Sequence, residues 1–92
     1  MKESTVEMRL RKGVEAMGGL CEKFVSPGRR HVPDRLVTLP EARMHLVECK
    51  RPGEQPRPGQ VRDHKRRARL GVTVRVVSTP QEVDELLEEW QC

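Results

Sequence analysis

Three polar residues sit where short strands should be burying apolar ones: Asp34, Glu48 and Lys50. Successive strand side chains alternate faces, so Glu48 and Lys50 point to one side of their strand and Cys49 to the other. If the strand before them pairs antiparallel through a turn near Glu41, Asp34 comes to lie beside Glu48. Two adjacent carboxylates raise each other's proton affinity unless a cation lies between them. A divalent ion answers that need. Magnesium takes one or two carboxylates together with waters and a substrate phosphate, and Asp34, Glu48 and the backbone carbonyl of Cys49 supply such hard oxygens. Lys50 then aims a cation at the same point, where it can orient or help deprotonate an attacking water and offset charge growing on a phosphate. The same spacing serves equally well for a salt bridge on an exposed sheet face.

The elements that must position these residues follow from periodicity. Val6, Leu10, Val14 and Met17 recur at helical spacing, predicting a helix from Glu3 to Met17 that Gly18-Gly19 stops. Strands are predicted over Leu20 to Val25, Arg35 to Leu39 and Met44 to Lys50, with Pro40 to Arg43 as a hairpin connection. Arg51 to Gly59, carrying Pro52, Gly53, Pro56, Pro58 and Gly59, reads as a stiff loop without regular structure. A charged helix follows from Gln60 to Leu70, and a β-branched strand from Val72 to Val77. Thr79-Pro80-Gln81-Glu82 is a capping box with proline in the first turn, so the last helix begins at Pro80 and shows one apolar stripe of Val83, Leu86, Leu87 and Trp90. The expected fold is α/β in the order α-β-β-β-α-β-α, a central mixed sheet flanked by helices, with residues 1–92 as a single domain.

Composition narrows the partners. At 92 residues with 35% hydrophobic and 35% charged residues, the chain has a thin core and room for one compact site. No apolar run approaches the ~20 residues of a membrane span, and Met1, Lys2 and Glu3 do not open a secretion signal, which points to the cytoplasm. Cys21, Cys49 and Cys92 have neither disulfide-like pairing nor zinc-finger spacing; Cys49 and Cys21 are expected in the core, Cys92 at a frayed end. From Arg51 to Arg75 eight basic residues face Glu54 and Asp63, whereas Pro80 to Cys92 carries five acids and no base. Such a basic face suits a polyphosphate partner. With Phe24 and Trp90 as the only aromatics, single-strand stacking is disfavoured and duplex backbone preferred. Arg29, Arg30, Arg51, Arg57, Arg62, Arg66 and Arg69 form the expected DNA-contacting set, while Lys65 and Arg67 read as solubility charges. His45 and His64 have no partner at metal-ligand spacing, which argues against a general base among them. Nothing in the sequence resembles a base-reading motif, so any specificity is for shape.

At this point a family comes into view. Val32-Pro33-Asp34-Arg35 followed by Leu46-Val47-Glu48-Cys49-Lys50 resembles the PD-(D/E)xK nuclease superfamily. The ordered set around it, Gly18-Gly19, Lys23-Phe24, Ser26-Pro27-Gly28, Pro52-Gly53, Gln60 and Gly71, is similar to the VRR-NUC branch in its stand-alone, phage-encoded form, which would place it in a bacterial host cell. The resemblance implies phosphodiester hydrolysis dependent on Mg2+ or Mn2+, with Asp34 and Glu48 as ligands, Lys50 positioning the nucleophile and Gln60 as an auxiliary residue. It also implies a first-helix glutamate, Glu7 or its rival Glu3, with Glu7 favoured by its place on the helix and its distance from Gly18. His31 and the pair Glu41-Ala42 stand where similar chains carry glycine. The resemblance implies a structure-specific DNA endonuclease, expected to cut four-way (Holliday) junctions, with flap or end processing and a non-catalytic DNA-binding module as alternatives. Since one site makes one cut, a homodimer is expected, with the helix bearing Trp90 as one candidate interface.

Overall fold

The computed structural model describes residues 3–91. Its elements are α1 (Thr5–Ala16), β1 (Leu20–Lys23), β2 (Arg35–Leu39), β3 (Arg43–Cys49), α2 (Pro58–Arg69), β4 (Arg75–Val77) and α3 (Pro80–Gln91), in the expected order. The sheet runs β1-β2-β3-β4, antiparallel except for the parallel pair β3 and β4, so it is mixed. Alternation along the strands divides its two faces. Val37, Leu39, Val47 and Val77 bury against Val6, Leu10 and Val14 of α1 and Val83, Leu86 and Trp90 of α3. The other face carries Glu48 and Lys50 and is covered by α2, whose only fully buried residue is Asp63.

Several boundaries differ from expectation. The first helix starts at Thr5, not Glu3, because Ser4 is its N-cap: the Ser4 hydroxyl accepts from the Glu7 N–H at 3.1 Å, and the Glu7 carboxylate accepts from the Ser4 N–H at 3.2 Å. Glu3 therefore precedes the helix. The helix ends at Ala16, one residue before the expected Met17, which caps it, and Gly18 follows in the left-handed conformation at φ 84° as the predicted stop. The first strand runs only to Lys23; the Phe24 N–H still donates to the Asp34 carbonyl at 2.9 Å in the same register, the last rung before the Ser26-Pro27-Gly28 turn leads away. The second helix absorbs Pro58 and Gly59 from the expected loop, because proline fits the first helical turn, where its missing N–H costs nothing. β3 takes in Arg43 and ends at Cys49, one residue before the expected Lys50. Only Arg75–Val77 of the β-branched run pairs, as the parallel ladder reaches no further than Val47 on β3.

Among the described residues three non-glycine residues have positive φ, His31 (66°), Glu41 (67°) and Ala42 (61°), the positions where similar chains carry glycine. Trp90 is 4% exposed and stacks on His45 at 4.6 Å, so it packs against its own sheet and presents no face to a partner. Cys21 and Cys49 are free thiols, Cys21 buried and Cys49 packed against the core; Cys92 lies outside the described residues. Among those residues no helix is long and apolar enough to cross a membrane.

Candidate active site

The β2–β3 ladder pairs Leu39 with Arg43 and Arg35 with Val47, placing Glu41 at the apex of the turn. Continued one step, that register sets Asp34 opposite Glu48. The Asp34 carboxylate accepts from the Cys49 N–H at 2.9 Å, which fixes it at the end of the sheet. Buried Pro33 before it and Arg35 after it hold the segment in place.

Glu48 is 1% exposed, a carboxylate among the most deeply buried side chains of the protein. Its Oε2 accepts from Gln60 Nε2 at 3.0 Å and lies 3.5 Å from Lys50 Nζ. Lys50 Nζ donates to Gln60 Oε1 at 2.7 Å, and the Arg57 N–H donates to that same oxygen at 2.8 Å. The Gln60 amide thus caps α2, bridges acid and ammonium, and is oriented by both. Burial, then the neighbouring Asp34 charge, push the Glu48 pKa up to about 7 against the attraction of Lys50. Glu48 Oε1 is buried without a hydrogen-bond partner.

That orphaned oxygen and the crowded carboxylate pair are suited to a cation, which would satisfy the one and neutralise the other. Among the described residues no three His, Cys, Asp or Glu side chains converge closely enough to hold an ion by themselves. A magnesium-like ion does not require three, since waters and backbone oxygens complete its shell. The residues present fit such an ion and do not fit a structural zinc site.

Of the two glutamates expected on the first helix, Glu7 rather than Glu3, which precedes it, lines a cleft of about 420 Å³ with Cys49, Lys50, Arg51 and Pro52. Its carboxylate is already engaged: Oε2 pairs with Arg35 at 3.0 Å, and Oε1 completes the helix cap. Burial opposes ionisation of Glu7, but the Ser4 and Arg35 hydrogen bonds win and hold its pKa below the usual range. Glu3 pairs with Arg11 at 3.0 Å and Arg35 at 3.2 Å. Arg35, 3% exposed, directly follows Asp34 and is a site residue that spacing does not single out.

The basic residues divide. Arg29, Arg30, Arg62 and Arg66 converge on one cleft of about 140 Å³ with His31 and Gly59. The His31 ring lies where a Cβ on Gly59 would come within 2.5 Å of it, so glycine here permits the loop to seat on the first turn of α2. Arg51 lines the other cleft; Arg57 and Arg69 are exposed and line neither. Arg67 is no solubility charge. It pairs with buried Asp63 at 2.8 Å and lies 5.5 Å over the Phe24 ring, pinning α2 across the end of β1.

His64, set aside on sequence spacing, belongs to this site. It stands one helical turn beyond Gln60, with Nε2 3.9 Å from Glu48 Oε1. Burial lowers its pKa, and Lys50 and Arg67 add to this against Asp63. The i, i+4 relation of Gln60 and His64 was visible in the sequence; that both face Glu48 was not.

No protein-family model matches the chain. It is 47% identical over 87 residues, covering 95% of this chain and 92% of the relative, to a protein named "Putative nuclease p44" from Acyrthosiphon pisum secondary endosymbiont phage 1. A solved structure described as a VRR_NUC domain superposes with a TM-score of 0.87 at 37% identity, over 92% of each chain.

Proposed function

Because the chain belongs to the VRR_NUC family of nucleases, we propose that it is a metal-dependent DNA endonuclease acting on branched duplexes, four-way junctions foremost, as a homodimer whose residues 1–92 form one nuclease unit. The observation that carries this reading is the buried Glu48 carboxylate, held on one oxygen by Gln60 and bare on the other, beside Asp34 and Lys50. Asp34, Glu48 and the Cys49 carbonyl would hold Mg2+ or Mn2+. Such an ion polarises a phosphoryl oxygen and lowers the pKa of water.

The protein's own groups do the rest. Lys50, fixed by Gln60, presents its ammonium to the attacking water and to the charge that grows on the phosphate as one phosphorus–oxygen bond forms and another breaks. Gln60 bridges the Glu48–Lys50 ion pair, its amide donating to the acid and accepting from the ammonium, so both are held in a fixed relation. Glu7 serves from α1 by clamping Arg35, the residue next to Asp34. Arg29, Arg30, Arg62 and Arg66 receive backbone phosphates in their shared cleft, with Arg51, Arg57 and Arg69 reaching the backbone farther out.

The test is a cleavage panel of four-way junction, flap, splayed arm and plain duplex with added Mg2+ or Mn2+. Junctions should be cut fastest; preferential trimming of flaps would move the reading to end processing. Asp34→Asn retains an acceptor for the Cys49 N–H, so it should fold. It and Lys50→Ala should each lose at least 100-fold in cleavage, about the low end of what a positioned catalytic group contributes, while still binding junctions. Wild-type cleavage by either folded variant would remove that residue from the chemistry.

A further inference from the structure

Glu48 Oε1 and His64 Nε2 are both buried polar atoms without a hydrogen-bond partner, and they face each other at 3.9 Å. Buried orphans are rare, because a buried polar atom left unpaired has given up its hydration for nothing. Two aimed at one another share a single remedy. A side-chain adjustment of about 1 Å brings the pair to an ordinary N–H···O distance. The other carboxylate oxygen is taken by Gln60, one turn earlier on the same helix face, so α2 presents two donors to the two oxygens of one acid.

We propose that His64 is a positioning residue: its Nε2–H is the second clamp on Glu48, closing onto Oε1 and setting the rotation at which that carboxylate meets a divalent cation. This rests on the metal-binding reading of Glu48. The donor exists in the neutral Nε2–H tautomer and in the charged ring alike, so the role does not depend on protonation of His64. One lone pair of Oε1 remains for the cation while the other accepts from His64. Partners that orient a ligating group in this way are typically worth about 10- to 100-fold in metal affinity.

The experiment measures Mn2+ binding to the DNA-free protein by titration calorimetry, for wild type, His64→Leu and His64→Gln. Leucine removes the donor while filling the space; glutamine places an amide N–H where Nε2 stood. His64→Leu should bind Mn2+ about 10-fold more weakly or worse, and His64→Gln should recover to within about threefold of wild type. A folded His64→Leu that binds as wild type does, or a folded His64→Gln no better than leucine, overturns the proposal. Wild type that binds no Mn2+ overturns the reading of Glu48 itself and the inference with it.

A wild-type measurement covers the case in which the variants do not fold. In 15N imidazole spectra with saturating Mg2+, the His64 Nε2 should carry a proton protected from water exchange, unlike that of exposed His31. A bare Nε2, or a proton exchanging as fast as that of His31, would overturn the clamp.

Discussion

Glu48 is buried as a carboxylic acid whose charge the fold penalises until something compensates it. With a folded pKa of about 7 against an ordinary value of 4.5, the folded state binds this proton more tightly than the unfolded chain does. Stability must therefore fall as pH rises from about 4.5 to 7, by up to about 3 kcal/mol without metal. Glu3, Glu7 and Asp84 are shifted the opposite way, chiefly by Arg11 for Glu3, by Ser4 and Arg35 against burial for Glu7, and by Arg9 for Asp84. Their contribution is present above the ordinary carboxylate range and lost as pH falls through their folded values. Metal-free protein should thus unfold at its highest temperature near about pH 5, and Glu48→Gln should extend that maximum to neutrality. A wild-type melting temperature flat across this range in EDTA would show that Glu48 is not held as described. Residue by residue, the turn between β2 and β3 holds a second prediction. Ala42 is exposed with φ 61°, a conformation costing a residue with a Cβ about 1 kcal/mol. Ala42→Gly should raise the melting temperature by roughly 4–8 °C for a domain of this size; a drop would mean the turn relaxes out of the left-handed region.

Among the elements, α2 is the one that makes this sheet into a site. It is the least apolar of the helices and buries no hydrophobic side chain fully, so it is held by Gln60 on Glu48 and Lys50 and by Asp63, Arg67 and Phe24 at its far end. The opposite side of the same helix carries Arg62 and Arg66 toward Arg29 and Arg30. Under the proposed function, one helix would couple phosphate capture to the alignment of the acid. Affinity for junction DNA should fall steeply with salt, and replacing Arg62 or Arg66 by alanine should reduce the slope of log K against log salt by about one for each phosphate no longer neutralised. Arg69→Ala, outside the cleft, should change it less. Equal slopes for all three variants and wild type would place the bound backbone elsewhere.

At the scale of the whole molecule, charge and size set the terms. The acids of α3 are partly neutralised within the fold, Asp84 by Arg9 and Glu89 by Arg75, which leaves the arginines around α2 as the field a nucleic acid meets. The described residues measure 32 × 29 × 22 Å, no longer than the ~34 Å of a single helical turn of duplex. One chain with one site makes one cut, and Trp90 is spent on the chain's own core. The proposed two-fold pairing would supply the second site, and Leu70, Val72 and Val76 are exposed apolar surface that it could cover. Light scattering at micromolar concentration should give twice the 10.6 kDa chain mass, and a cruciform plasmid should be linearised in one encounter. A monomer that accumulates only nicked circles would exclude the paired resolvase.

The order of elements, the pairing of Asp34 with Glu48 and the shared face of Glu48 and Lys50 follow from local rules: period 2 along strands, period 3.6 along helices, and a turn whose apex sets the register. The same rules held the Ser4-x-x-Glu7 capping box, which would have put Glu3 outside the helix, and the proline that starts α2 early. No local rule could show which groups meet across the sheet. Arg35 reaches Glu7 over 28 positions and Gln60 reaches Glu48 over 12, pairings set by how α1 and α2 pack on opposite faces. His64 looked unpartnered because its partner lies on another element. The left-handed backbone at His31, Glu41 and Ala42 showed only through the resemblance, as positions where similar chains carry glycine; nothing in their own side chains asks for it, and the closure of the loop and the hairpin imposes it. Residue chemistry and periodicity name the acids and the ammonium, and only tertiary packing decides which oxygen is held, which is left bare, and what faces it.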